Sequence, residues 1–538
     1  MPAQYVMTED SDQWVEQSFQ VQERYDRVIL VDASGAPARQ VAIPPLTFAA
    51  DPAPAAAPPR AAEITVKTLQ AAVDMSRGGD LIAVSPGTYR GFVMGKRPGA
   101  GPGKYIRIVA LGPPGATRIE HATMQDPRWM AWFRGAQYVI FEGFHLIGQS
   151  RSGEPAPDTA RAGIFIDGNF RQSGEMAHHI ALLRVASYHH RRWGMHATDS
   201  HTVLMQDSFY GYSATQHGAY VSDGSDDYVI RRNVFQGNHW AGLQCNLDPD
   251  ASMQELAAHP SMHALHPLEP NRAWVEETLA AATERFGDGR FPDGRGVNFI
   301  IEDNVLTDNG RGGAAALNLA AMSRSLIQNN LIYANHAHGI AQWDNDNSFD
   351  ADYRVLAQGE PGPARPPAAL PMFGCHENLI RHNTVLMANP GRAALQARNG
   401  SWGMRAYNNI LINDSGPSLQ IYENSRYGLE VGPNLAGALS YVDAADQPAP
   451  APPELLSSVD ALVLGYTQAR IAAEFVRPSQ APWAVLDGRV WRRSPSSPDF
   501  RPTPTSSVLV GRAHRDHMPP RDLLGRARTT ATLGALAP

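Results

Sequence analysis

The sequence predicts an all-β chain, a single-stranded right-handed parallel β-helix in which short strands stack coil upon coil. Three observations predict it: a glycine column at a fixed period, an asparagine column in step with it, and strict alternation within each strand. Gly194, Gly218 and Gly242 are each 24 residues apart. The next equivalent position, Ala316, lies 74 residues further on, which is one coil plus an insertion. Gly339 follows after 23, Ala394 after 55 and Ser418 after 24, so the period survives a second insertion.

The asparagine column runs through RRNVF, EDNVL, QNNLI, RHNTV and YNNIL, as Asn233, Asn304, Asn330, Asn383 and Asn409, with Asp207 one coil earlier. Stacked Asn at one turn lets each amide bond the neighbouring coil, and Asn tolerates left-handed backbone. Along each strand, alternate residues face in and out. Ile164 and Ile166, Met195 and Ala197, Ala219 and Val221, Leu243 and Cys245, and Leu317 and Leu319 are the expected inward stacks. No coil carries a 3.6-residue apolar stripe, which excludes helical repeats. About eleven coils at about 4.8 Å each would make a rod roughly 50 Å long.

The domain plan follows from composition. Residues 1–62 form a short β-rich appendage ending in the Pro/Ala linker 50–62. The β-helix occupies 63–425 and opens with an amphipathic helix (Leu69, Ala72, Val73) placed to cover the end of the stack. Insertions at about 249–295 and 346–376 leave the same turn and are expected to wall one side of a groove. Residues 426–538 form an irregular C-terminal segment packing on or closing the helix.

Composition narrows the function. The net charge of -7, with no Lys/Arg-rich run, argues against a dedicated nucleic-acid partner. No stretch approaches 18 apolar residues, so no membrane span is expected. Two cysteines, Cys245 and Cys375, exclude a disulfide framework. The first residues do not read as a signal peptide, so the chain is expected to be cytoplasmic, or secreted with its leader outside this sequence.

The opening Leu69–Gly91, LQAAV…GGDLIAVSPGTYRG, and the segments Ser496–Phe500 and Asp522–Arg528 resemble the pectate-lyase-like superfamily of right-handed β-helix proteins. The resemblance covers 63–425 and is nearest the branch of alginate lyases, chondroitin lyases and C5-epimerases. It implies a site along one sheet, flanked by the loop entering each strand and the turn leaving it. The outward column there is Phe165, His196, Tyr220, Gln244, Asn318, Ala341, Gln396 and Gln420, with Asn246, Trp343 and Arg398 in the next. The entering loops hold His189, His190, Arg191, Arg192, His217 and Trp240.

A His–Tyr–Arg set suits β-elimination or C5 epimerisation of a uronate. Arg neutralises the carboxylate, His or Tyr removes the C5 proton, and Tyr protonates the leaving oxygen. His196, Tyr220, His217, Arg191 and Arg192 are the expected catalytic residues. His189, His190, Trp240, Gln244, Asn246, Asn318, Trp343 and Arg398 are expected to bind a polysaccharide or oligosaccharide. The chondroitin-lyase branch uses a Lys base, whereas this chain has only Lys67, Lys96 and Lys104, all ahead of the central coils. A hydrolase needing two or three aspartates on the strand face finds Asp167 alone. No cofactor is required. Asp199, Asp223 and Asp248, one coil apart, offer ligands for Ca²⁺, although aspartates in tight turns are commonly structural. Two other readings stay open: a non-catalytic glycan-binding or structural β-helix, and an intracellular isomerase or cyclase acting on a small molecule.

Overall fold

The structure, a computed structural model, describes residues 7–35, 40–48, 59–148, 161–262, 271–287, 290–350, 370–458, 462–487 and 490–538. Most of the 50–62 linker and the 263–270 and 351–369 parts of the two insertions lie outside these residues. Among the described residues, short strands form three long sheets of thirteen, twelve and twelve strands. Sheets I, II and III are numbered by the order in which each coil visits them. The first complete coil contributes Asp80–Val84 to sheet I, Gly87–Arg90 to sheet II and Phe92–Met94 to sheet III. Neighbouring strands in these sheets run parallel. The exception is the terminal pair in sheet III, Leu439–Val442 with Pro448–Ala449. The chain is therefore a parallel β-helix.

The inward residues are those the alternation predicts. Ile164, Ile166, Met195, Ala197, Ala219, Val221, Leu243, Cys245, Leu317 and Leu319 are all fully buried in one continuous core. The glycine column has a steric cause. A Cβ on Gly194 would lie 2.6 Å from the Gly218 carbonyl, and one on Gly218 would lie 2.6 Å from the Gly242 carbonyl. The coils pack too closely there for a side chain.

Asn304 shows how the asparagine column works. Its Oδ1 accepts from the Asn233 backbone N–H at 3.0 Å and from the Asn233 amide at 3.1 Å. Its Nδ2 donates to the Ile230 carbonyl at 2.8 Å and to Asn330 Oδ1 at 3.0 Å. The pattern continues through Asn383 and Asn409 to Asn434. Two details differ from the sequence reading. The coil before Asn233 presents Ser208 at this position, while Asp207 is aligned with Arg232 and salt-bridged to it at 2.8 Å. The left-handed residues are those preceding the ladder, including Arg232, Asp303 and Asn329. A second ladder, Asn238–Asn309–Asn335, supports the corner between sheets II and III.

The chain ends clothe two of the three outer faces. Strand Arg27–Val31 pairs in parallel with Asp80–Val84 and so extends sheet I. Helix Ser11–Ser18, N-capped by Asp10, buries Trp14 and Val15, with Phe19 just beyond, in a cluster with Ile140, Leu183, Leu204 and Val229 on the outside of sheet I. The C-terminal segment lays Trp483, Phe500 and Leu509 over Phe209, Leu331, Tyr333 and Ile410 on the outside of sheet II. Helix Leu69–Met75 buries Leu69, Ala72 and Val73 in the core beside strands Asp80–Val84 and Phe92–Met94. The first insertion supplies helices Pro249–Ala258 and Arg272–Phe286, and the latter packs on the second insertion through Trp274 and Phe349, ring centroids 6.0 Å apart.

Candidate functional site

Sheet III keeps an outer face built from polar and aromatic side chains. Strand register places Trp132, Phe165, His196, Tyr220, Gln244, Asn318, Ala341, Gln396 and Gln420 in one outward column. At the N-terminal end the column is a stack of rings. Phe165 and His196 have centroids 5.1 Å apart, and His196 and Tyr220 are 4.9 Å apart with nearly parallel planes. The spacing is simply that of adjacent strands. Below Tyr220 the column turns to amides, with Asn318 donating to Gln244 at 3.0 Å and Gln396 to Gln420 at 2.6 Å.

A cavity of about 460 Å³ lies where rings give way to amides. It is lined by His217, Tyr220, Trp240, Gln244, Asn246, Asn318, Trp343 and Arg398, all anticipated from the sequence. It is also lined by Gln216, His338, Asn345, Arg392 and Gln396. His338 and Arg392 went unnoticed in the sequence because the second insertion breaks the period around them. His338 is to its strand what His217 is to an earlier one, a residue at the strand entrance. Its Nδ1 accepts from the Ala393 backbone N–H at 2.9 Å, as His217 Nδ1 accepts from that of Ala241 at 3.2 Å. The neutral His217 ring therefore carries its proton on Nε2, whereas His338 Nε2 faces Arg392 Nη1 at 3.4 Å.

Burial holds both rings neutral. It pulls the pKa of His217 down to about 3 and that of His338 to about 4, the latter with help from Arg392 and Arg398. Burial also pushes the Tyr220 phenol up to about 12, opposed by a hydrogen bond from Asn246 and assisted by Asp223 and Asp248. Arg398 lies over the Trp343 ring at 5.6 Å, and its Nε and the Trp343 Nε1 are buried without hydrogen-bond partners. Among the described residues no carboxylate lines the cavity. It is a pocket of N–H and O–H donors with two guanidiniums, suited to an anion.

Several expected site residues lie elsewhere. His190 is fully buried, with Nε2 3.0 Å from Ser187 Oγ, and cannot touch a ligand in the groove. His189 turns to the sheet II side, where its ring meets Tyr188 and Tyr212. The chain reverses within this loop, so successive residues face different surfaces. His196 is sandwiched between rings, with Nε2 3.2 Å from Ser222 Oγ and Nδ1 buried. Arg191 and Arg192 stand at the strand entrance, N-terminal to the cavity, with Arg192 over the Trp193 ring at 5.2 Å. Asp199, Asp223 and Asp248 lie along the exit edge. Asp248 caps helix Pro249–Ala258 by accepting from Ala251 N–H. Among the described residues no group of three or more His, Cys, Asp or Glu could hold a metal ion, so these three do not make the Ca²⁺ site the spacing suggested. Burial and mutual repulsion raise this edge: Asp223 goes up to about 7, and Asp199 also rises, by burial and then by Asp223.

No protein-family model and no curated protein sequence matches the chain. Solved structures similar to it include an alginate lyase from Paenibacillus sp. strain FPU-7, at 13% identity, covering 69% of this chain and 94% of that one, with a TM-score of 0.40. Pectate lyase Pel9A is similar at 12% identity, covering 88% and 91%, with a TM-score of 0.44. The A-module of mannuronan C-5 epimerase AlgE4 from Azotobacter vinelandii is similar at 14% identity, covering 74% and 93%, with a TM-score of 0.37. The fold these structures share with the chain is the parallel β-helix. These likenesses concern the fold alone.

Proposed function

We propose that the chain acts on an anionic, uronate-containing polysaccharide lying along the outer face of sheet III, as a lyase by β-elimination or as a C5-epimerase. The observation that supports this reading is the donor-lined pocket, which among the described residues has Tyr220 at one end, Arg392 and Arg398 at the strand four coils further along, and no carboxylate in its lining. The guanidiniums take the carboxylate of a uronate further along the groove, and the Asn246 amide, whose Nδ2 lies 3.4 Å from the Tyr220 hydroxyl, donates to the carboxylate of the reacting residue and stabilises the charge that develops when its C5 proton leaves. Tyr220 is the proton-transfer group. As phenolate it takes the C5 proton. The C–H electrons become the C4–C5 double bond, the C4–O bond breaks, and the phenol returns its proton to the departing oxygen. His217, with its proton on Nε2, acts as a hydrogen-bond donor to substrate oxygens, and His338 sits against Arg392.

A Tyr with its pKa pushed up to about 12 is mostly protonated at neutral pH. Turnover should therefore rise by about tenfold per pH unit from neutral into the alkaline range. One feature favours a second reading, a non-catalytic glycan-binding β-helix: both pocket imidazoles have their acceptor nitrogens engaged by backbone amides, and Tyr220 is held protonated.

The test is incubation with alginate, pectate, hyaluronan, chondroitin and glucuronan from about pH 7 to about pH 10, following unsaturated product by absorbance and C5 exchange in heavy water. Binding with neither product nor exchange selects the second reading. Absence of binding, product and exchange across the panel removes both.

A further inference from the structure

Three coils N-terminal of the cavity carry a cluster of arginines that the pocket does not use. Arg128, Arg161, Arg191 and Arg192 stand at the entrances of the consecutive sheet III strands Trp129–Arg134, Ala162–Asp167 and Trp193–Thr198. The nearby carboxylate, Asp126, is engaged by Arg128, whose Nε meets both of its oxygens at 2.9 Å and whose Nη2 meets one at 2.5 Å. Among the described residues no ion pair serves Arg161, Arg191 or Arg192, and Arg161 Nε is buried without a hydrogen-bond partner. Burial lowers the pKa of Arg161, and Arg192, Arg191 and Arg128 lower it further, in that order, against a smaller opposing effect of Asp126. Like charges crowded in this way are an unmet demand for an anion.

Aromatic rings back the cluster. Trp129 and Trp193 lie with their ring planes nearly parallel, centroids 6.0 Å apart. Arg128 sits 6.0 Å from the Trp129 ring and Arg192 sits 5.2 Å from that of Trp193. The Nε1 atoms of both tryptophans are buried and unpartnered. Guanidiniums beside indoles suit an acidic sugar, whose apolar face meets a ring while its anionic group meets the arginines.

We propose that this cluster is a second anion-binding subsite, taking another acidic residue of the same polysaccharide that enters the pocket. The proposal rests on the anionic-polysaccharide reading above and deepens it. Strand Ala162–Asp167 lies six coils from strand Leu395–Ala397, beside Arg392 and Arg398. At about 4.8 Å per coil the two arginine groups are roughly 29 Å apart. A ligand must therefore be an extended oligomer with anionic groups at both ends of that span.

The experiment measures binding calorimetrically, using the Arg161→Gln/Arg191→Gln/Arg192→Gln variant, with Arg191→Gln alone as a milder second variant that removes only an exposed side chain. Two probes are titrated: oligouronides of increasing length, and dextran sulfate, a polyanion without uronate. The expected result is that the triple variant loses about tenfold or more in affinity for long oligouronides and for dextran sulfate, with a shallower salt dependence, and that the single variant loses less. Affinity for the shortest oligouronides, which fill the pocket alone, should stay at the wild-type value. Wild-type affinity of the triple variant for both long probes would overturn the subsite. If the wild-type protein binds no oligouronide but binds dextran sulfate through these arginines, the subsite stands and the uronate reading fails.

Discussion

The outer faces of sheets II and III share one backbone geometry and differ in every other respect. Sheet II presents Phe209, Leu331, Tyr333 and Ile410, and the C-terminal segment covers them with Trp483, Phe500 and Leu509. Sheet III presents His196, Tyr220, Gln244 and Asn318 at equivalent outward positions. The coil fixes only the inward residues, since these must fill a continuous core. Outward positions are therefore free to become either a docking surface for the chain's own tail or a surface for something else. Apolar exteriors recruited a cover, and the polar one carries the cavity. The two rims of sheet III differ as well. Arginines and neutral imidazoles stand at the strand entrances, while Asp199, Asp223 and Asp344 on the exit side are pushed upward in pKa, which mutes their repulsion of an anion.

Four experiments sharpen this contrast, beginning with the largest effect. Tyr220→Phe should lower turnover by about 10²–10⁴-fold while leaving the melting temperature nearly unchanged, because the ring stack survives and only the hydroxyl is lost. Steady-state kinetics and a thermal melt on the same sample check it, and turnover near wild type would move proton transfer away from Tyr220.

On sheet II the expectation inverts. Phe500, buried with Tyr333 and Phe475, should cost about 3–5 kcal/mol as Phe500→Ala and leave the intrinsic turnover of folded protein intact. Denaturant unfolding reads the loss. A cost confined to a few tenths would mean that the tail does not contribute to the stability of the stack.

Asn304→Ala probes the scaffold common to both faces. It removes one link of a buried ladder and leaves the Asn233 N–H and the Ile230 carbonyl without that partner, at about 1–3 kcal/mol. An unchanged melt would show that neighbouring coils re-satisfy these groups.

The smallest effect belongs to the exit rim. Asp223 is raised from 3.8 to about 7 by burial and by Asp248. A carboxyl raised in the folded state contributes stability below its unfolded pKa and loses it as pH rises through the folded value. Asp223 therefore weakens the fold progressively between about pH 4 and about pH 7. Asp223→Asn should melt like the parent near pH 4 and above it near pH 8, and parallel pH–stability curves for the two proteins would contradict the shift.

The sequence by itself determined the coil. The period of Gly194, Gly218 and Gly242 reflects a close approach of backbones that leaves no space for a Cβ, and alternation assigns inward and outward faces without ambiguity. The outward column from Phe165 to Gln420 was legible for the same reason, because strand parity is set by covalent geometry.

Corners and loops obey no such parity. His190 and His217 look alike in sequence, yet one is sealed beside Ser187 and the other borders the cavity, because the turn between strands decides which way each side chain leaves. Asp207 and Ser208 exchange roles by one residue at a corner whose left-handed position the sequence did not mark. Only the tertiary structure joined His338 and Arg392 to Tyr220. They lie more than a hundred residues away along the chain, and the stacking of coils across an insertion brings them to one pocket. The protonation states were also decided there, since the burial that holds His217 neutral and Tyr220 protonated comes from coils that are neighbours only in space.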